Sequence, residues 1–293
     1  MDQVRDQAPG RTRVLTRVLT RVLTVAGYPL RASWHGTLEH PRATWLLVHG
    51  MVENDEVWRP VLGALPEGIC AVTLELPWSG ARDALWGLTM APEAWIGAAL
   101  DAHGIVPDAI AAHSFGANAV LQMLADRALP QLQQLVLISP FYKPGSADMS
   151  WPLFQRYVAE FEHFIGLSMS VRAGERQLSA EMFALIREKL RDSFGCYSWM
   201  QFWQLFSRTP FLQLQHLQLP CLVITGADDF SSPPDDVRAL ATRLPDARLV
   251  VYPECSHFCL TTKEKETVSL ITDFMRDVSL FETTSKEHLQ CLL

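Results

Sequence analysis

Asp108-Ala109-Ile110-Ala111-Ala112-His113-Ser114-Phe115-Gly116-Ala117-Asn118-Ala119-Val120 decides how the rest of the chain is read. It opens as a small apolar run behind Pro107 and, past Gly116, changes to helical spacing through Val120, Leu121 and Leu124. The pattern predicts a strand, a tight turn and a helix. A serine alone at that junction has its hydroxyl pushed out of the sheet plane, close to the exposed amides of the helix N-terminus, where negative charge is favoured. This placement suits a nucleophile. Ala112 and Gly116, two residues to either side of Ser114, are small, as a sharp turn requires where strand and helix backbones approach. Taken alone the stretch fits an ordinary turn serine equally well, since Ser and Gly are common wherever chains reverse. Its neighbours decide the matter.

On both sides of this stretch, strands and helices alternate. Residues 44–48 form a continuous apolar run that ends in His49-Gly50, the form of a buried parallel strand with both faces covered. Strands are also expected at 70–76, 132–139, 221–226 and 248–252, and helices at 56–65, 91–103, 116–126, 235–243 and 264–278. Such alternation implies a mostly parallel sheet with ligands at the carboxyl ends of its strands. Ahead of it, residues 22–34 read as a β-hairpin about Ala26-Gly27-Tyr28-Pro29. Residues 13–24 spell Arg-Val-Leu-Thr three times, a period that matches neither a solenoid nor a helix. The reading is a short duplication whose last copy opens the first strand, so that residues 1–20 are a disordered extension. Residues 281–293 are expected to be a flexible tail. Between 141 and 213 the alternation stops and over half of all the aromatic residues collect, with helical spacing at 151–165, 180–190 and 197–206. The expected organisation is a core of 21–140 and 214–280 with 141–213 as a helical insertion.

Composition excludes several classes. The chain has 293 residues, 48% hydrophobic and 19% charged, enough for a sizeable core. A net charge of -7 leaves no basic footprint for nucleic acid. No apolar run is long enough for a membrane span, and the basic N-terminal residues lack the apolar core and cleavage site of a secretory signal. The six cysteines show no C-x-x-C pair or disulfide framework, which favours a reducing, cytoplasmic setting. Cys255 and Cys259 flank His257, but no second Cys/His pair stands at zinc-like spacing, so no metal is expected.

The run Ala112-His113-Ser114-Phe115-Gly116 resembles the nucleophile elbow of the α/β-hydrolases, usually G-x-S-x-G, with Ala112 in place of the first glycine. Gly226-Ala227-Asp228-Asp229-Phe230-Ser231-Ser232-Pro233 resembles that superfamily's acid loop, whose register picks Asp229, with Asp228 as the fallback. Glu254-Cys255-Ser256-His257-Phe258 stands where the family carries its histidine, although Ser256 replaces the usual glycine. The chain order Ser, Asp, His is that of the α/β-hydrolases. The resemblance covers roughly residues 20 to 280. It implies a mostly parallel eight-stranded sheet with helices on both faces and a helical lid between strands six and seven. It also implies Ser114 as nucleophile, His257 as base, Asp229 as its orienter, the amides of Met51 and Phe115 as oxyanion donors, and no metal or organic cofactor. His113 is read as packing behind the site. His49 is read as a loop orienter and, with Trp151, Phe154, Trp199 and Trp203 of the insertion, as the expected substrate-binding set. These aromatics are first of all core of the insertion; where they face the site, they favour a hydrophobic or acyl-bearing small molecule.

Three functions remain open at this level. The first is hydrolysis of an ester, thioester or lactone through an acyl-enzyme. The second uses the same three residues for elimination, retro-aldol cleavage or carbon-carbon bond hydrolysis. The third is ligand binding without catalysis. Halide or epoxide displacement is disfavoured, because those relatives carry Asp at the position of Ser114.

Overall fold

The computed structural model describes residues 18–79, 85–146, 149–173 and 179–276. The expected extension up to residue 17 and tail from 281 lie outside the described residues, as do Gly80 and Cys291. Period-two burial on two covered faces organises the sheet. In β3 (Ala43–Val48), Leu46 and Val48 enter one apolar cluster while Trp45 and Leu47 enter another. In β5 (Ala109–His113), Ile110 and Ala112 join the first, Ala109 and Ala111 the second. Successive side chains of a strand leave on opposite faces, so a strand covered on both sides is apolar throughout. The first face is covered by α3 (Pro92–His103), α4 (Phe115–Asp126) and α7 (Pro234–Ala241) through residues such as Trp95, Val120 and Leu240, and the single turn α2 (Trp86–Thr89) adds Trp86 to the same cluster. The second is covered by α1 (Arg59–Gly63) and α9 (Glu264–Arg276) through Val61, Ile271 and Met275.

With β1 (Val18–Val25), β2 (Tyr28–Gly36), β4 (Ile69–Glu75), β6 (Gln134–Ile138), β7 (Cys221–Gly226) and β8 (Ala247–Tyr252), the sheet has eight strands in the order β1-β2-β4-β3-β5-β6-β7-β8. The β1–β2 and β2–β4 pairs are antiparallel and all the others parallel. The carboxyl ends of β3, β5, β7 and β8 therefore lie along one edge, and every loop that carries a candidate site residue leaves from there.

The Arg-Val-Leu-Thr repeat corrects an expectation. β1 begins at Val18, in the second copy, so residues 18–20 belong to the sheet rather than to an extension. Four is a multiple of the strand period of two, so the repeat keeps Val and Thr on one face and Leu and Arg on the other, and it pairs with β2 from Val18↔His35 to Val25↔Tyr28. As the outermost strand it buries little, and Val18, Leu19, Val22 and Leu23 stay exposed.

Between β6 and β7 the chain leaves the sheet for two long helices, α5 (Trp151–Ala173) and α6 (Ala180–Ser207). The expected stretches at 180–190 and 197–206 are one helix, bent at Gly195 (φ 62, ψ 169), where a residue without Cβ takes the left-handed backbone at little cost. The expected helix at 56–65 is instead a 3-10 turn, Asp55–Trp58, capped by the Asn54 side chain, that runs into α1 with Pro60 in its first turn.

Candidate active site

Ser114 sits between β5 and α4 with φ 54 and ψ -125, a backbone that costs a non-glycine residue roughly 1–3 kcal/mol. Its N–H donates to Ile138 O on β6 at 2.7 Å, and its carbonyl accepts from Ala117 N at 2.9 Å, so both sides of the turn are held. The turn is tight enough that a Cβ on Gly116 would stand 2.3 Å from His49 O and 3.0 Å from Val48 Cγ1. Glycine there lets the first turn of α4 rest on the end of β3.

His257 follows β8 and precedes the single turn α8 (Cys259–Thr262). Its Nε2 lies 2.8 Å from Ser114 Oγ, and its Nδ1 lies 2.8 Å from Asp229 Oδ2. Asp229 Oδ1 accepts from Ser231 N at 3.1 Å, Ser231 Oγ at 2.8 Å and Ser232 N at 2.8 Å. Three donors fix one oxygen of the carboxylate and leave the other for the imidazole. With the Nδ1 proton given to Asp229, Nε2 is an acceptor for the Ser114 hydroxyl. Ser114 is 7% exposed, Asp229 2% and His257 1%, so this chain of bonds is almost closed to water. The acid and histidine loops are stitched together by Asp228 N to Cys255 O at 2.9 Å, and Gly226 packs where a Cβ would meet Cys255 O at 2.0 Å. Asp228 is exposed, so the register picked from the sequence lands on the buried carboxylate.

The loop after β3 is held from several sides. Gly50 N donates to Glu53 Oε2 and His49 Nδ1 to Gly50 O, each at 2.8 Å, and Val52 N donates to Trp78 O at 3.0 Å. Met51 is thereby fixed beside Ser114. Phe115, the first residue of α4, has no intrahelical acceptor for its N–H. His49 departs from the expected substrate-binding set. It is 0% exposed, its Nε2 accepts from Leu76 N at 3.1 Å, and burial lowers its pKa, so it is a neutral imidazole that braces the loop from behind.

One pair went unnoticed in the sequence. Glu53 Oε2 lies 2.8 Å from His113 Nδ1, both residues buried, although they are 60 positions apart. Burial alone would lower the pKa of His113, but the charge and hydrogen bond of Glu53, with smaller help from the His257 carbonyl and Asp229, leave it raised. Stability from such a group is complete below the ordinary imidazole value and is lost as pH rises through the raised one. In urea melts between about pH 6 and about pH 9, the stability advantage of wild type over His113→Gln is therefore expected to shrink as pH rises. A constant difference would mean that the imidazole is neutral throughout.

Above Ser114 opens a cavity with about 540 Å³ of empty volume, counting the part open to solvent, lined by Tyr157, Phe161, Phe164, Phe194, Trp199 and Phe202 among others. Of the four aromatics expected to bind substrate, Trp199 lines this cavity. Trp151, Phe154 and Trp203 do not line this cavity. Trp151 is 66% exposed and stacks on Phe154 at 5.0 Å, and Phe154 meets the Trp203 ring at 5.0 Å. The inward face of α5 carries Tyr157, Phe161 and Phe164, at steps of four and three residues, one stripe of the helix. The same pattern in the sequence contained them. Among the described residues no three His, Cys, Asp or Glu side chains are grouped to hold a metal ion, and no helix is long and apolar enough to cross a membrane. Cys255 Sγ donates to Cys259 Sγ at 3.5 Å, and the two thiols are not joined by a disulfide.

Residues 45–270 match the model of the alpha/beta hydrolase family. Over 259 residues the chain is 29% identical to the pimeloyl-[acyl-carrier protein] methyl ester esterase of Aromatoleum aromaticum, covering 80% of this chain and 99% of that protein. A serine hydrolase from the polyaromatic-hydrocarbon-degrading bacterium Cycloclasticus zankles superposes with a TM-score of 0.64 at 19% identity, over 89% of this chain and 99% of that one. The enol-lactonase of Burkholderia xenovorans superposes with a TM-score of 0.61 at 17% identity, over 87% and 100%.

Proposed function

The chain belongs to the alpha/beta hydrolase family, and from that premise we propose that it is a serine hydrolase that cleaves an ester, thioester or lactone of a hydrophobic small molecule through an acyl-enzyme on Ser114. One observation carries the reading: the unbroken relay Ser114 Oγ, His257 Nε2, His257 Nδ1, Asp229 Oδ2, with both contacts at 2.8 Å, beneath an apolar cavity. A neutral hydroxyl is a poor nucleophile, and the imidazole makes it a good one by taking its proton as the bond to the carbonyl carbon forms. Asp229 stabilises the imidazolium that results. The amides of Met51 and Phe115 receive the oxyanion, a contribution of about 3–4 kcal/mol where one such donor has been removed from other enzymes. His257 returns the proton to the leaving oxygen or sulfur, then takes one from the water that releases the acid. Helices α5 and α6 serve as a lid that keeps this chemistry apart from bulk water. The ester and lactone named for the relatives agree with the class of bond, and the aromatic lining agrees with a hydrophobic substrate.

The test is covalent. A fluorophosphonate probe should label the purified protein once, on the peptide that contains Ser114, and a panel of esters, acyl thioesters and lactones should include a substrate whose turnover the label abolishes. An unlabelled, folded protein would sink the proposal.

A further inference from the structure

Two compartments meet at Ser114, and their chemistry differs. The first holds Phe115 beside the serine and is walled by aromatic rings, among them Tyr157, Phe194, Trp199 and Phe202, while the Ser231 hydroxyl that also lines it is taken up by Asp229. The Glu160 carboxylate that also reaches it faces solvent, 4.0 Å from Arg156. The second holds His257 beside the serine; Ile165, Leu190 and Phe258 give it apolar wall, and the mutually bonded Glu53 and His113 together with the Ser168 hydroxyl give it polar groups. Met51, Val52, Phe161 and Phe164 line both and form the divide between them.

We infer that the two halves of the substrate are sorted between these compartments, with an aromatic or otherwise bulky apolar acyl group in the first and a small, polar alcohol in the second. The assignment rests on the serine-hydrolase reading and follows from where the proton must go. When the tetrahedral adduct collapses, the bond between the carbonyl carbon and the alcohol oxygen breaks, its electron pair stays on that oxygen, and the proton held at His257 Nε2 joins it. The bond from Ser114 Oγ to the carbonyl carbon remains. The departing oxygen is therefore within hydrogen-bond reach of Nε2, and whatever it carries lies in the compartment that His257 lines. The acyl group takes the other, beside Phe115. Aromatic walls reward an apolar acyl group by removing its surface from water. In the alcohol compartment, the Ser168 hydroxyl gives a substrate hydroxyl a partner that an all-apolar pocket would deny it.

Two pairs of isomeric or isosteric esters test this on the intact wild-type protein. Methyl phenylacetate and benzyl acetate contain the same atoms and release alcohols of similar acidity, but carry the ring on opposite halves. The kcat/KM for methyl phenylacetate is expected to exceed that for benzyl acetate by about tenfold or more, the scale at which apolar pockets discriminate. For 2-hydroxyethyl and propyl phenylacetate, which differ by a terminal hydroxyl against a methyl, the hydroxyethyl ester is expected to be at least as good. Equal or reversed preference in the first pair, clear preference for propyl in the second, or turnover of none of the four overturns the assignment. Fluorophosphonate labelling run on the same preparation separates the two failures: a labelled Ser114 with the wrong preference leaves a serine hydrolase with its halves misassigned, whereas an unlabelled one removes both readings together.

Discussion

Ser114→Ala will fold as wild type does and lose about a thousandfold or more of kcat/KM toward any ester the protein cleaves. The substitution keeps the Cβ, so the positive φ of 54 is as strained in the variant as in wild type. It removes one oxygen whose recorded side-chain partner is His257 Nε2 at 2.8 Å. A thousandfold is about 4 kcal/mol of transition-state stabilisation, lost together because the base and its orienter have nothing to activate once the hydroxyl is gone. The amides of Met51 and Phe115 and the aromatic walls persist in the variant, so activity falls to a floor set by binding and oxyanion stabilisation. Far-UV circular dichroism and a thermal melt establish that the fold is unchanged, and initial rates on the best substrate of wild type give the loss. Equal rates in the two proteins would take Ser114 out of the mechanism.

Asp229→Asn will lose about ten-thousandfold in kcat, while Asp228→Asn stays within about twofold of wild type. The contrast comes from the three donors on Asp229 Oδ1, namely Ser231 N, Ser231 Oγ and Ser232 N. They would hold the amide oxygen of an asparagine on their side and turn its NH₂ toward His257 Nδ1. Facing a donor, Nδ1 becomes an acceptor and the ring proton moves to Nε2, where it meets the Ser114 hydroxyl instead of a lone pair. The geometry survives and the base does not. Asp228 points to solvent and shares only its backbone with the histidine loop. Parallel measurement of kcat for the two variants decides the register of the acid, and a large loss in Asp228→Asn with little in Asp229→Asn would reverse it.

The strands and the three polar residues were legible because each is a local matter. A strand covered on both faces is an apolar run, and residues that must leave a strand end and turn sharply are confined to a few positions with small or turn-forming neighbours, as at Gly116 and Gly226. The helical insertion was harder to read. Aromatics stand on more than one face of α5, and no local signal says that the face of Tyr157, Phe161 and Phe164 turns inward while Trp151 turns out. The start of β1 was missed for a related reason, since an edge strand exposed on both faces shows no burial alternation. The Glu53–His113 pair is long-range: it forms because β3 and β5 are parallel neighbours, a fact of topology.

The order of strands also bears on how the protein is made. Ser114 leaves the ribosome 143 residues ahead of His257, and β7 and β8, whose loops bring the carboxylate and the imidazole, are the last strands of the sheet to be synthesised. On the serine-hydrolase reading, until they dock the serine has no base and is as inert as any other alcohol. On that reading a chain in mid-synthesis carries no working nucleophile into the crowded surroundings of translation, and reactivity arrives together with completion of the fold.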